Sequence, residues 1–196
     1  GQHPAGRVSE PSAPPPGRRP AATGASVAGS ADRARQMRLI ATGLLLAMAV
    51  LSLGAVAVAL WTQHALGMEP CPWCVLQRLI FVAIALAVLP GLVWRNGFVQ
   101  TTSALLALAL AISGVAAALW QHFVAAVSSS CNMTLADRIV SGLRLDGLLP
   151  EVFQARASCA DAAVRLWGLP YEAWSLMLFM LLSVMALRLV MRRGAA

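Results

Sequence analysis

An all-α membrane protein, a bundle of four transmembrane helices, is what this sequence predicts, and three observations predict it. Of its 196 residues 59% are hydrophobic and only 12% charged, whereas a soluble domain carries roughly 25% charged residues. Four apolar stretches, approximately 39–61, 75–93, 98–123 and 173–190, come close to or exceed the roughly 20 helical residues needed to cross a hydrocarbon core about 30 Å thick. All four cysteines, Cys71, Cys74, Cys131 and Cys159, fall in the two connections after the first and third stretches. An even number of crossings puts those connections on one side of the membrane.

Residues 1–36 are rich in Pro, Ala, Gly and Ser and include Pro14, Pro15 and Pro16 in succession. They cannot bury enough apolar surface to offset their ordering entropy, so a disordered cytoplasmic tail is expected before a membrane domain over 37–193. The run that follows Arg33, Arg35 and Arg38 is longer than the 7 to 15 residue core of a cleavable signal and is expected to remain as the first span. Near the span ends, Arg33, Arg35, Arg38, Arg95, Arg188, Arg192 and Arg193 lie on one side, against Arg138, Arg144, Arg156 and Arg165 on the other. The excess predicts termini inside and both cysteine loops outside. All fifteen basic residues behind the formal charge of +7 are arginines, most of which flank spans or sit in the tail, a pattern of membrane orientation with no nucleic-acid partner.

The first outer loop is short and ends in Glu69, Pro70, Cys71, Pro72, Trp73, Cys74, Val75, Leu76, Gln77, Arg78, so that a CxxC opens the second span. A helix start presents unpaired N–H groups and the positive end of the dipole, which favour thiolate over thiol. Cys71 and Cys74 are therefore expected to be unusually reactive. Pro72 suits the first turn, where its missing N–H has no partner to lose. Arg78 follows Cys74 by four residues and shares its helix face.

Pro90, Gly91, Arg95, Asn96 and Gly97 predict a tight inner turn, making spans two and three antiparallel neighbours. In span three, Ser103, Ala107 and Ala111, then Gly114 and Ala118, recur at a spacing of four and predict a close packing face. In the long second outer loop, Leu135, Ile139, Val140 and Leu143 recur at helical spacing and predict a short amphipathic surface helix. Trp167, Tyr171 and Trp174 stand at the start of span four as interfacial anchors.

Two thiols two residues apart can close a small disulfide or clamp a soft metal, with His64 and His122 as conceivable further ligands. The other two cysteines have 27 residues between them, not a ligand-like spacing, and no metal is expected. Four cysteines on a common face allow three pairings, between which the residues do not choose. In an oxidising compartment they form disulfides.

The CxxC at the outer start of span two followed by Gln77 and Arg78, the second cysteine pair before span four, and the stretch from Leu149 through Cys159 to Leu169 resemble the disulfide bond formation protein B (DsbB) family over roughly 39–193. The resemblance implies a quinone-dependent oxidase of the bacterial inner membrane. It implies Cys71 and Cys74 as the pair facing the quinone, ubiquinone or menaquinone, with Cys74 nearest it. Cys131 and Cys159 are then the pair that oxidises a DsbA-like soluble periplasmic thiol oxidase, Cys131 being the sulfur attacked. Arg78 and His122 are implied at the quinone. The long loop between Cys131 and Cys159 is expected to let Cys131 approach Cys71 for the internal exchange. A resting bond between loops, such as Cys71 to Cys131, stays open beside the pairing within loops. Two other readings are a quinone enzyme like vitamin K epoxide reductase, whose CxxC belongs instead to the last span, and a metal-binding or structural membrane bundle.

Overall fold

The structure, a computed structural model, describes residues 22–125, 134–161 and 165–194. Residues up to Gln36 separate as a unit of their own from Met37–Ala196, and the bundle is built from the second unit. In chain order the elements are helices α1 (Ala22–Leu66), α2 (Pro72–Val93) and α3 (Gly97–Trp120) and a π-helical turn (Gln121–Ala125). They continue with α4 (Leu135–Gly142), α5 (Leu145–Leu148), α6 (Pro150–Phe153), a two-residue hairpin of β1 (Arg165–Leu166) with β2 (Leu169–Pro170), and α7 (Tyr171–Gly194).

The four expected spans are present as helices long and apolar enough to cross a membrane, over Gly29–Leu66, Pro72–Val93, Gly97–Ala125 and Tyr171–Arg192. Helix α1 already begins at Ala22, inside the stretch expected to be disordered. Pro20 is the last proline before it, and the Ala, Arg, Gln and Met that follow cost little in a helix. The first 21 residues of the expected tail lie outside the described residues.

Small side chains set how closely the spans approach. Ser103, Ala104, Ala107, Ala111, Gly114, Ala117 and Ala118 form the buried face of α3, the face expected from their spacing. At Gly114 a Cβ would overlap the ring of Phe179 on α7, so the glycine opens a slot for that ring. Phe179 fills it completely buried and stacks on Phe81 of α2, the ring centroids 4.1 Å apart and the planes 4° from parallel. One ring thereby locks three spans together. At the end of the bundle where α2 turns into α3, a Cβ on Gly91 would stand 2.8 Å from Leu45 of α1, and the buried Gln100 amide donates to the Gly91 carbonyl at 3.2 Å. Asn96 caps α3 by accepting from the Phe98 N–H at 2.8 Å.

At the opposite end of the bundle the loop between α3 and α7 folds back on α2. Thr134 and Asp137 form a reciprocal cap at the start of α4, satisfying two otherwise orphaned N–H groups. Ala136 and Val140 of α4 are buried, and Val140 clusters with Val75 of α2 and Phe153 of α6. Leu135, Ile139 and Leu143 stay exposed along the other side, the apolar stripe of a surface helix.

Candidate active site

Cys71 is the cap of α2. Its extended backbone lets the sulfur accept from the Cys74 N–H at 3.4 Å, and Pro72 occupies the first turn as expected. The Cys71 and Cys74 sulfurs lie 3.0 Å apart. Cys71 is fully buried, in the same cluster against which Cys159 packs.

What brings Cys159 there is backbone. The N–H groups of Arg156 and Ala157 both donate to the carbonyl of Pro70, at 2.9 and 3.3 Å, tying the segment before Cys159 to the residue before Cys71. Among the described residues it is thus Cys159 that stands beside Cys71, and Cys131, the expected visitor, lies outside them. The hydrogen bond from the Cys71 thiol to Cys159 pushes Cys71 far above the ordinary thiol range, with the Cys74 contact and burial adding to it. The same bond lowers Cys159 against the opposing effect of burial. At Cys71 burial and the bond to Cys159 thus act against the thiolate that the helix start favours.

Cys74 faces a different environment. It lines a cavity of about 1060 Å³ bounded by α1, α2 and α7, together with Gln77, Arg78, Gln121 and Glu172. Most of the wall is apolar and comes from α1 (Val50, Leu51, Val58) and α7 (Met177, Leu178, Leu181). The Gln121 amide donates to the Cys74 sulfur at 3.3 Å, and Gln77 donates to the Gln121 carbonyl at 2.7 Å, which fixes the amide's orientation.

Arg78 is buried and does not reach for the headgroups. Its guanidinium donates to the Gln63 side-chain oxygen at 2.7 Å, to the Val152 carbonyl at 3.2 Å and to the Ala59 carbonyl at 3.4 Å. Three elements, α1, α2 and α6, are pinned by one side chain that still lines the cavity.

His122 is not part of the cavity wall, which holds its neighbour Gln121 instead. Both lie in the π-helical turn at the end of α3, where the wider backbone changes the facing of successive side chains. The His122 ring, half-exposed, lies 2.9 Å from the carboxylate of Glu172, which is buried and does line the cavity. His64 sits on the surface 3.8 Å from Glu151. Trp167 and Trp174, both in the cavity wall, meet edge to face with centroids 5.9 Å apart. Sequence reasoning passed over Glu172 and Gln121. The only available signal was a carboxylate at a span boundary and an amide beside the histidine.

Comparison with known proteins places the chain by its sequence. A family profile described as disulfide bond formation protein DsbB matches residues 41–189. The disulfide bond formation protein B of Aromatoleum aromaticum is 33% identical over 157 residues, 76% of this chain and 92% of that protein. Those of Herminiimonas arsenicoxydans and Pseudomonas syringae are 32% and 34% identical, each over 76% of this chain and over 95% and 88% of their own lengths. With four spans and a cysteine site at one end of them, the chain belongs to the disulfide bond formation protein B family, multi-pass membrane oxidoreductases that form disulfides.

Proposed function

We propose that this protein reoxidises a soluble thioredoxin-fold dithiol oxidase outside the bacterial inner membrane and passes the two electrons to membrane quinone. The observation that carries the reading is the apolar cavity with Cys74 and Arg78 in its wall and Cys71 and Cys159 directly behind. Its size suits a substituted ring with part of a tail, and its α1 and α7 walls are apolar like lipid. Arg78 and Gln121 offer the few polar donors that carbonyl oxygens need. A quinone, when bound, supplies an acceptor for two electrons and two protons. The excess of arginine at the inner ends supports cytoplasmic termini and periplasmic cysteine loops.

The chain's own sulfurs divide the work. A partner thiolate attacks Cys131 of a Cys131–Cys159 disulfide, forming a mixed disulfide and releasing Cys159 as thiolate. Cys159, held beside Cys71, attacks Cys71 of the Cys71–Cys74 disulfide, and Cys74 leaves as thiolate into the cavity wall. The partner's second thiolate displaces Cys131 and completes the partner's disulfide. Cys131 then attacks Cys159, restoring their bond and leaving Cys71 and Cys74 reduced. Two electrons leave that pair through Cys74 as the Cys71–Cys74 bond re-forms. Arg78 holds positive charge beside the place where negative charge develops.

The test is turnover: purified protein, reduced partner and a short-tailed benzoquinone or naphthoquinone, with quinone absorbance followed. Loss of absorbance equimolar with partner disulfide is expected, and no turnover with either quinone would remove the proposal. A second measurement assigns the order of exchange. A partner lacking its resolving cysteine is expected to be trapped on Cys131, and mapping the adduct to Cys74 by peptide mass would mean the two pairs are reversed.

A further inference from the structure

Turning a quinone into a quinol consumes two protons as well as two electrons, and most polar groups in the cavity wall have no proton to give. Arg78 keeps its protons at any physiological pH, and the amides of Gln77 and Gln121 carry none that are acidic. The Tyr171 hydroxyl is engaged with Thr62 at 3.3 Å. Two carboxyls line the cavity. Glu69 is exposed on the first outer loop. Glu172, in the first turn of α7, is buried, its side chain 8% exposed, and Oε1 lies 2.9 Å from Nδ1 of His122. A carboxylate so placed at the outer end of a span is costly and is retained where it is paired and used.

His122 completes the geometry. Its side chain is 48% exposed at the outer end of the third span, so one side of the ring meets the carboxylate while the rest is open. Imidazole accepts a proton at one nitrogen and donates from the other, which suits it to connect two media. We propose that Glu172 and His122 form a proton relay between the outer aqueous face and the cavity. The inference rests on the quinone reading above.

In this relay Glu172, protonated, gives its proton to a quinone oxygen as the electron pair arrives from the Cys71–Cys74 dithiol. The carboxyl O–H bond breaks as the quinol O–H forms. His122 returns a proton to Glu172 from Nδ1 and takes one from water. Two passes supply two protons. The dithiol sheds two protons as its disulfide closes, so protons and electrons balance over a turnover.

Glu172→Gln tests the relay because it keeps the size and the hydrogen bond to His122 while removing the acid. General acid catalysis is worth about a hundredfold or more, so kcat for quinone reduction is expected to fall by about that factor. Quinone binding to the oxidised protein, read from quenching of tryptophan fluorescence, and the thermal midpoint are expected to stay as in wild type. Glu172→Asp is expected to recover part of the rate, and wild type to show a solvent deuterium effect on kcat that Glu172→Gln lacks. An unchanged kcat overturns the relay, as does weakened binding with kcat intact, which would make Glu172 a ring-holding group. Should Glu172→Gln lower the thermal midpoint, His122→Gln takes its place, and a kcat equal to wild type with that variant overturns the relay too. If wild type neither binds nor reduces a quinone, the quinone reading itself has failed, a different result from a wild type that works and a variant that works equally well.

Discussion

Arg78→Met is expected to slow quinone reduction about a hundredfold, the loss typical of removing one preorganised donor from a site of developing negative charge. A thioether fills much of the volume but carries neither charge nor fork. Arg78→Lys should fall between, because it keeps a point charge that cannot serve Gln63, Val152 and Ala59 together while facing the cavity. Transfer from reduced partner to a preformed Cys131–Cys159 disulfide, measured in a single turnover without quinone, is expected to stay within a few-fold of wild type. The same three hydrogen bonds make Arg78 structural as well, so the thermal midpoint must be read beside the rates. Stopped-flow quinone absorbance decides: intact quinone kinetics, or equal damage to both half-reactions, would show that Arg78 does not serve the quinone site.

Gly114→Val is expected to cost stability of about 3 kcal/mol, the upper end of ordinary overpacking, because its Cβ falls where the Phe179 ring lies. Phe179 cannot withdraw easily, being stacked on Phe81 from the other side. Phe179→Ala alone is expected to cost about 3 to 5 kcal/mol by leaving a cavity. The pair makes the argument sharp. In Gly114→Val with Phe179→Ala the new methyl groups enter the space the ring left, and the double variant should be more stable than the sum of the two losses predicts. Unfolding of the purified variants in one detergent measures all three. Strict additivity would mean that glycine and ring do not share a slot.

Much of the bundle could be read from residues alone, because span length, apolar content and the small face of α3 are local properties of the chain. Ser103, Ala107, Ala111 and Gly114 announced close packing at a spacing that only a helix uses. Which aromatic they admit is a tertiary fact, so Phe179 was not foreseen. The CxxC and Arg78 were legible because Cys74 and Arg78, four residues apart, share one helical face. The meeting of Cys159 with Cys71 was not, since it depends on two backbone N–H groups sharing the Pro70 carbonyl, and backbone bonding leaves no mark on residue identity. His122 and Gln121 show a different limit. Ordinary helical periodicity would be used to place them, whereas the chain there turns as a π-helix. Glu172 was hidden by its neighbours, Tyr171 and Trp174, whose aromatic rings drew the reading of that stretch toward membrane anchoring.

The complete burial of Cys71 also bears on how its thiol withstands oxidants. Over-oxidation of a thiol to sulfinic or sulfonic acid needs a thiolate that peroxide can reach, and those products are generally not reversed. Cys71 as a thiol is sealed from solvent, and its bond to Cys159 and its burial both oppose ionisation. Cys159, half-buried, is the more reachable of the two sulfurs, and the same bond favours its thiolate. Of the two, the sulfur that caps α2 is the better shielded from irreversible oxidation.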